Sequence, residues 1–201
     1  MTPKLKNRLS IVCGIFVAVI ATCFIYVRTH PLVFNESFWG HGHCIVGGGE
    51  SLSTYAHDHF GRFPYHTNGY GDALVMLDSG WDASLTGPCY NTAVFTRVRR
   101  TGENAPESEF GRVYVQALSE TNDPEIALMF DKVPTPGGDH CHLLSRLFAP
   151  LSREVWTIGS ARKVIHERDW PAFSKKQIGL LVAAGIEPEQ AEQYYFENSK
   201  K

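Results

Sequence analysis

Histidine and cysteine lie close together at three places in the 201-residue chain, in residues 41–44, 57–59 and 139–142. Imidazole and thiolate groups suit zinc and copper, and zinc binds about four of them in a tetrahedron. Two histidines at positions i and i+2 point to different faces of a helix, so a strand or loop presents such a pair better. The clusters thus define one hypothesis, an envelope zinc or copper site with ligands His43, Cys44, His140, Cys141 and His142.

The same residues also have an interpretation without a metal, because their spacing matches no known zinc motif. His57 and His59 then cap the end of a helix or face water, and Cys44 packs as a small apolar residue. Cys141 with a neighbouring histidine has the residue types of a nucleophilic pair, but such pairs meet in the fold rather than along the chain. No phosphate-loop, dinucleotide or serine-nucleophile motif is present. The sequence favours a protein without catalytic residues and without a cofactor, with metal binding as the alternative.

Residues 9–27 carry no charge and are almost wholly apolar, whereas Lys4, Lys6 and Arg8 precede them. A helix rises about 1.5 Å per residue, so roughly 19 residues span a hydrocarbon core of about 30 Å. Basic residues before the span place the N-terminus in the cytoplasm. We expect a cytoplasmic N-terminus (1–8), a transmembrane anchor (9–27) and an extracytoplasmic remainder.

Two other interpretations of the N-terminal segment stay open. A cleaved signal peptide fits the basic start, but the apolar run exceeds the usual length and no A-x-A site follows it. Residues 20–23 approximate the pattern before a lipid-modified cysteine, although Thr22 suits that pattern poorly. Export would also permit one disulfide, and the sequence does not choose the pair among Cys44, Cys89 and Cys141.

The chain has a formal net charge of −2 and a pI of about 6.5. This balance gives no electrostatic attraction to nucleic acid. The dense basic cluster of Arg97, Arg99 and Arg100 fits a solvated strand end. The partners that we expect are the lipid bilayer, other copies of the chain and envelope proteins.

Hydrophobic periodicity predicts an α+β domain over residues 43–201. A linker at 28–42 precedes it, and Pro31 within the linker prevents the anchor helix from simply continuing. A soluble helix is expected at 44–59, weakened by three consecutive glycines, and a short helix capped by Asp72 should run to Leu77. Apolar alternation predicts strands, and an amphipathic pattern predicts helices near the C-terminus. The strands are expected at 93–98, 112–118, 126–130, 154–158 and 161–165, and the helices at 173–184 and from Pro188. Gly159-Ser160 predicts a type II′ hairpin turn.

Three short strings carry a family resemblance. They are residues 43–64, which end in Gly61-Arg62-Phe63-Pro64, residues 73–89, which end in Gly87-Pro88-Cys89, and residues 155–162. The order of elements and these strings resemble the pseudopilin-like (prepilin-type) bacterial membrane proteins, which are related to type II secretion pseudopilins. The resemblance implies a soluble helix packed on a small antiparallel sheet, a structural or interaction role in the cell envelope, and no catalytic residues. The family's processing motif before the apolar run is absent, which leaves assembly into a filament open.

Some pseudopilins hold calcium in a loop, and the resemblance brings Asp123, Asp131 and Asp139 forward as candidates because they lie in or beside loops. Six aromatic residues concentrate early in the domain, and we expect them in the core, with an exposed docking patch as the alternative. They are Trp39, Phe60, Phe63, Tyr65, Tyr70 and Trp81.

Overall fold

The structure is a computed structural model of the chain, and it describes residues 17–19, 21–22, 45–77, 85, 93–136 and 150–196. The chain divides into two compact units, Met1–Gly40 and His41–Lys201. The described residues of the first unit are helical, and Thr22 Oγ1 donates a hydrogen bond to Ala18 O at 2.8 Å. Within the described ranges, no helix is long and apolar enough to span a bilayer. Most of the expected anchor lies outside those ranges, so the anchor stays a prediction.

The described residues of the second unit form five α-helices, two short 3-10 helices (Glu107–Glu109 and Glu167–Asp169) and five strands. The helices are α1 (Ile45–Asp58), α2 (Tyr70–Val75), α3 (Ala93–Thr101), α4 (Trp170–Ala183) and α5 (Pro188–Phe196). The strands are β1 (Arg112–Tyr114), β2 (Ala127–Asp131), β3 (Thr135–Pro136), β4 (Leu151–Thr157) and β5 (Arg162–His166). All pairings are antiparallel: β1 with β2, β2 and β3 with β4, and β4 with β5. The predicted α+β class with a small antiparallel sheet is confirmed.

Helices cover both faces of this sheet. Trp156 of β4 pairs with Met129 of β2, so the two side chains share a face of the sheet. Phe130 follows Met129, and successive side chains of a strand point to opposite faces, so Phe130 lies on the other face. Trp156 packs against α1 at Gly49. Phe130 contacts Trp170 of α4 and Tyr195 of α5, with ring centroids 5.5 and 4.7 Å away. The sheet therefore lies between α1 on one face and the pair α4 and α5 on the other.

Close packing explains why α1 tolerates glycine. A Cβ atom on Gly49 would lie 2.1 Å from Cδ2 of Trp156, which no real side chain permits. Ile45, Leu52 and Ala56 are fully buried along the same helix. The predicted soluble helix is confirmed, and the glycine that weakens its propensity is the residue that lets the indole lie against the helix backbone.

The predicted strand at 93–98 is wrong, because these residues begin α3. The β-prone composition indicated a strand, but Val94, Phe95 and Val98 are the buried residues, and this spacing fits one helical face. The basic residues therefore lie on a helix rather than at a strand end. Arg99 and Arg100 occupy its last turn, where positive charge is favourable to the helix dipole.

The β4–β5 hairpin is confirmed, but its turn is not type II′. The positive φ falls on Ser160 (57°), whose N–H donates to Thr157 O at 3.0 Å, and the Thr157 N–H donates to Ala161 O at 3.0 Å. This is the three-residue loop in which a residue with positive φ follows a turn. Gly159 is needed for another reason, since a Cβ there would lie 3.0 Å from Pro124.

The helix predicted at 173–184 is confirmed, and Gly185 directly follows its last turn. Gly185 has a φ of 93°, and its N–H donates to Val182 O while the Ile186 N–H donates to Leu181 O, both at 3.0 Å. This is a Schellman cap. Leu181 is fully buried, whereas its neighbour Val182 is 41% exposed.

The aromatic residues divide between core and surface. Phe63 and Tyr70 are buried, as expected of core residues. Phe60 is fully exposed, and Tyr65 is more than half exposed, so the core prediction is wrong for these two. Trp39 and Trp81 lie outside the described residues.

Candidate functional site

None of the five predicted zinc or copper ligands falls within the described ranges. His43 and Cys44 directly precede α1, whereas His140, Cys141 and His142 follow β3 along the chain. The zinc or copper site therefore stays a prediction. Across the described ranges, no three His, Cys, Asp or Glu side chains are grouped so as to hold a metal ion.

The histidines at the end of α1 make local contacts instead. His57 and His59 are both exposed. The His59 ring stacks on Tyr55, with centroids 3.7 Å apart and planes within 3°, and its Nδ1 lies 2.7 Å from Tyr55 O. These contacts agree with the interpretation of both histidines as a water-facing helix end.

The calcium interpretation is wrong for Asp131. This residue ends β2, beside a loop as expected, but it is almost fully buried with Oδ1 3.0 Å from Arg112 Nε. Asp123 accepts the Glu125 N–H in a surface turn at 2.8 Å, and Asp139 lies outside the described ranges. An aspartate held by a buried arginine does not present its oxygens to a cation.

Four charged side chains form a row across the sheet, beneath α1. Strand register places Arg112 of β1 opposite Asp131 of β2, and the Glu154 N–H of β4 donates to Asp131 Oδ2. Arg162 of β5 lies diagonally beside Glu154. We call these four residues the charge cluster. Arg112, Asp131 and Glu154 are at most 1% exposed.

The charge cluster satisfies its own charges. Arg112 Nη2 lies 3.7 Å from Glu154 Oε2, in addition to the 3.0 Å contact of Arg112 Nε with Asp131. Arg162 Nε donates to Glu154 Oε1 at 2.9 Å. The backbone N–H of Glu154 donates to Asp131 Oδ2, also at 2.9 Å. Two arginines and two carboxyl groups thus form a neutral network spread over four strands when all are ionised.

Opposing effects act on the Asp131 carboxyl. Burial raises its pKa from 3.8 to about 6, because the charged form loses its water. Arg112 counteracts this shift, whereas the nearby Glu154 carboxylate adds to it. Arg112 is therefore the group that makes two neighbouring buried carboxyl groups tolerable in one place.

The charge cluster also holds the start of α1. The backbone N–H of Ile45, the first residue of the helix, donates to Glu154 Oε2 at 3.4 Å. The first N–H groups of a helix have no partner within it and carry partial positive charge, so a carboxylate there is favourable. Glu154 therefore joins the sheet to the residue where the chain enters the helix from the linker.

A second ion pair acts on the opposite face of the sheet. Arg153 of β4 binds Glu167 with two contacts, Nε to Oε2 at 3.0 Å and Nη2 to Oε1 at 3.2 Å. Its guanidinium also lies 4.5 Å from the centre of the Trp170 ring. Paired contacts of this kind fix geometry as well as charge. They hold β4 against the start of α4.

The charge cluster holds structural elements in place and does not offer a free acid or base. Its carboxyl groups are buried and each binds an arginine, whereas an acid or base in catalysis must lie within hydrogen-bond reach of a substrate. The sequence prediction missed it, although a signal exists: Arg112, Asp131 and Glu154 each stand at one end of an apolar strand run. When a charged residue occupies an inward-facing position of one strand and a residue of opposite charge occupies such a position on another strand, the two indicate a buried ion pair.

Comparison with known proteins finds no relative of this chain. No protein-family model matches it, and neither the curated proteins nor the solved structures contain a match.

Proposed function

We propose that this chain is a non-enzymatic, single-pass membrane protein with a pseudopilin-like extracytoplasmic domain that acts through contacts in the cell envelope. The observation that carries the proposal is the uncharged apolar run at 9–27, preceded by Lys4, Lys6 and Arg8. The linker at 28–42 then leads to the domain at 43–201. A run of this length and charge asymmetry is typical of a span with a cytoplasmic N-terminus.

The attachment of α1 supports a tethered role. In a domain anchored through its N-terminus, α1 is the first described element after the linker. Its first residue, Ile45, bonds to Glu154, and further along the helix Ser53 Oγ lies 3.3 Å from Ser160 Oγ of the β4–β5 turn. Gly49 packs against Trp156 between these two points. Contacts at three levels hold α1 on the sheet, as a tethered domain requires.

A contact role also agrees with how the charge cluster uses its ionisable groups. Asp131 and Glu154 are bound by Arg112 and Arg162, so both carboxyl groups are engaged within the fold. A function through surface contacts needs no free acid or base.

Membrane extraction tests the anchor. The full chain with a C-terminal tag should stay with bacterial membranes after alkaline carbonate washing. Val17→Arg combined with Val19→Asp places two charges inside the run, at about 2.5–3.5 kcal/mol each, and should release the chain. Val17→Leu with Val19→Leu is the matched control and should leave it membrane-bound. A washed-out wild-type chain of intact mass would refute the anchor.

The intact mass of the membrane-bound form separates the three interpretations of the N-terminus. An uncleaved anchor retains the full chain mass. A cleaved signal peptide removes the first residues, and lipidation adds an acyl mass at Cys23 after cleavage.

A further inference from the structure

Strands β1, β3 and β5 each pair with a single described strand, and β1 and β5 differ in how well their residues are buried. All three residues of β1 are buried, and Tyr114 Oη donates to Pro64 O at 2.7 Å across this edge. In the described part of the chain, β5 pairs with β4 alone. Val164, at the centre of β5, is 40% exposed. Open edge strands are ready to pair with another chain unless they are covered.

Hydrogen-bond alternation shows which way the backbone of Val164 points. Thr157 and Ala161 form a hydrogen-bonded pair at the turn, and antiparallel pairs alternate along a hairpin. By this alternation, Val164 and its partner Glu154 form a non-hydrogen-bonded pair. An independent contact agrees, since the Glu154 N–H points the other way and donates to Asp131 Oδ2 at 2.9 Å. The N–H and C=O of Val164 therefore point away from the sheet.

We propose that this edge joins two copies of the chain, with β5 of each pairing antiparallel about a two-fold axis at Val164. Val164 then lies opposite Val164 of the second copy, and their outward N–H and C=O groups exchange two hydrogen bonds. The sheet continues from one copy into the other. The same patch serves both copies, as a two-fold interface requires.

The charges on β5 fit this antiparallel register. Lys163 stands opposite Ile165 of the second copy, and Arg162 stands opposite the second copy's His166. No lysine or arginine therefore faces another directly, whereas a parallel pairing would place like residues side by side and is disfavoured. The Arg162 charge is also already bound by Glu154 within its own copy, at 2.9 Å.

The side chain at the axis favours a second copy over an unrelated strand. Val164 is an exposed β-branched residue on the face that carries the charge cluster, and self-pairing covers it with its own equivalent. β5 contains no proline, and its lysine, Lys163, lies opposite Ile165 of the second copy rather than opposite another charge.

Photo-crosslinking tests the contact directly. A benzoylphenylalanine in place of Val164, in the full chain in mild detergent, should yield a covalent dimer whose crosslinked peptide contains residues 162–168 of the second copy. The matched control carries the same group at Val182, which is 41% exposed on α4, and should yield no dimer. Crosslinks from position 164 only to other proteins, or only within one copy, would overturn the proposal.

Two substitutions test the pairing itself by light scattering. Val164→Pro removes the outward N–H and spares the bonds to β4, whereas Val164→Lys places two ammonium groups at the axis. Each should weaken dimerisation about tenfold or more, whereas Val164→Thr should leave it unchanged. Circular dichroism monitors folding, and Val164→Lys decides the outcome if the proline variant unfolds. A wild-type monomer, or a dimer that Val164→Lys leaves unchanged, would contradict the proposal.

Discussion

Arg112 is the residue on which the charge cluster depends most. It contacts Asp131 at 3.0 Å and Glu154 at 3.7 Å while fully buried. In an Arg112→Met variant, the two carboxyl groups lose the cation between them, and we expect the free energy of unfolding to fall by about 3–5 kcal/mol. Urea unfolding of the full chain in detergent, followed by tryptophan fluorescence, measures this loss.

The matched control is Arg97→Met on α3. Arg97 also binds a carboxylate, Glu109 at 2.8 Å, but its side chain is 41% exposed. Exposed pairs contribute about 0–1 kcal/mol, so this variant should unfold almost as the wild type does. Equal losses for Arg112→Met and Arg97→Met would refute the importance of the buried cluster.

The Asp131 carboxyl gives stability a specific pH dependence. Its pKa rises from 3.8 to about 6 on folding, so the folded state holds this proton where the unfolded state has lost it. As pH rises from 4 to 6, the free energy of unfolding therefore falls by about 3 kcal/mol in total. Asp131→Asn does not titrate at this position.

We accordingly expect wild-type stability, relative to Asp131→Asn, to fall as pH rises from about 4 to 6 and to level off above that range. Denaturant unfolding at several pH values measures the difference. A difference that stays constant with pH, or that grows as pH rises, would contradict the raised pKa of Asp131.

The residue types of the cluster were visible in the sequence, but their pairing was not. Arg112 and Glu154 are 42 positions apart, and only the register of β1, β2 and β4 brings them together. Local periodicity predicts elements and their faces, whereas buried ion pairs depend on contacts between distant elements. The sequence showed that Asp131 lies beside a loop but not that it pairs with Arg112, and for this reason it was a calcium candidate.

At the scale of elements, two glycines in different helices should respond oppositely to the same substitution. Gly49→Ala in α1 places a Cβ 2.1 Å from Trp156 Cδ2, so the buried indole must move, and we expect a loss of about 1–3 kcal/mol. Gly179→Ala in α4 meets no atom within 4 Å at an exposed position, and we expect a gain of about 0.5–1 kcal/mol from helix propensity.

Thermal unfolding of the two alanine variants beside the wild type measures both effects. A stabilised Gly49→Ala variant would contradict the close packing of α1 on the sheet. A destabilised Gly179→Ala variant would contradict the exposed position in α4.

The sequence predicts the elements with a clear period better than the others. α1, β2, the β4–β5 hairpin and α4 follow from apolar spacing, and Gly185 marks the end of α4. α3 was mistaken for a strand because valine and phenylalanine favour strands, although their burial follows a helical face. The turn was mistaken because Gly159 is required by contact with Pro124 rather than by its φ angle.

For the whole molecule, metal content tests the alternative function. The full chain, purified without added metal, should contain no stoichiometric zinc or copper if its role is through contacts alone. About one metal per chain, lost when His140, Cys141 and His142 are replaced by alanine, would instead support the predicted zinc or copper site. Elemental analysis of both proteins makes the comparison.

Residues 9–27 are proposed to hold the domain outside the cytoplasm, and reporter fusions after Lys201 test this topology. Alkaline phosphatase is active only after export, and green fluorescent protein fluoresces after folding in the cytoplasm. We predict active phosphatase, dark fluorescent protein and membrane-bound fusions of full length. Bright fluorescent protein with inactive phosphatase would place the domain in the cytoplasm and contradict the claim.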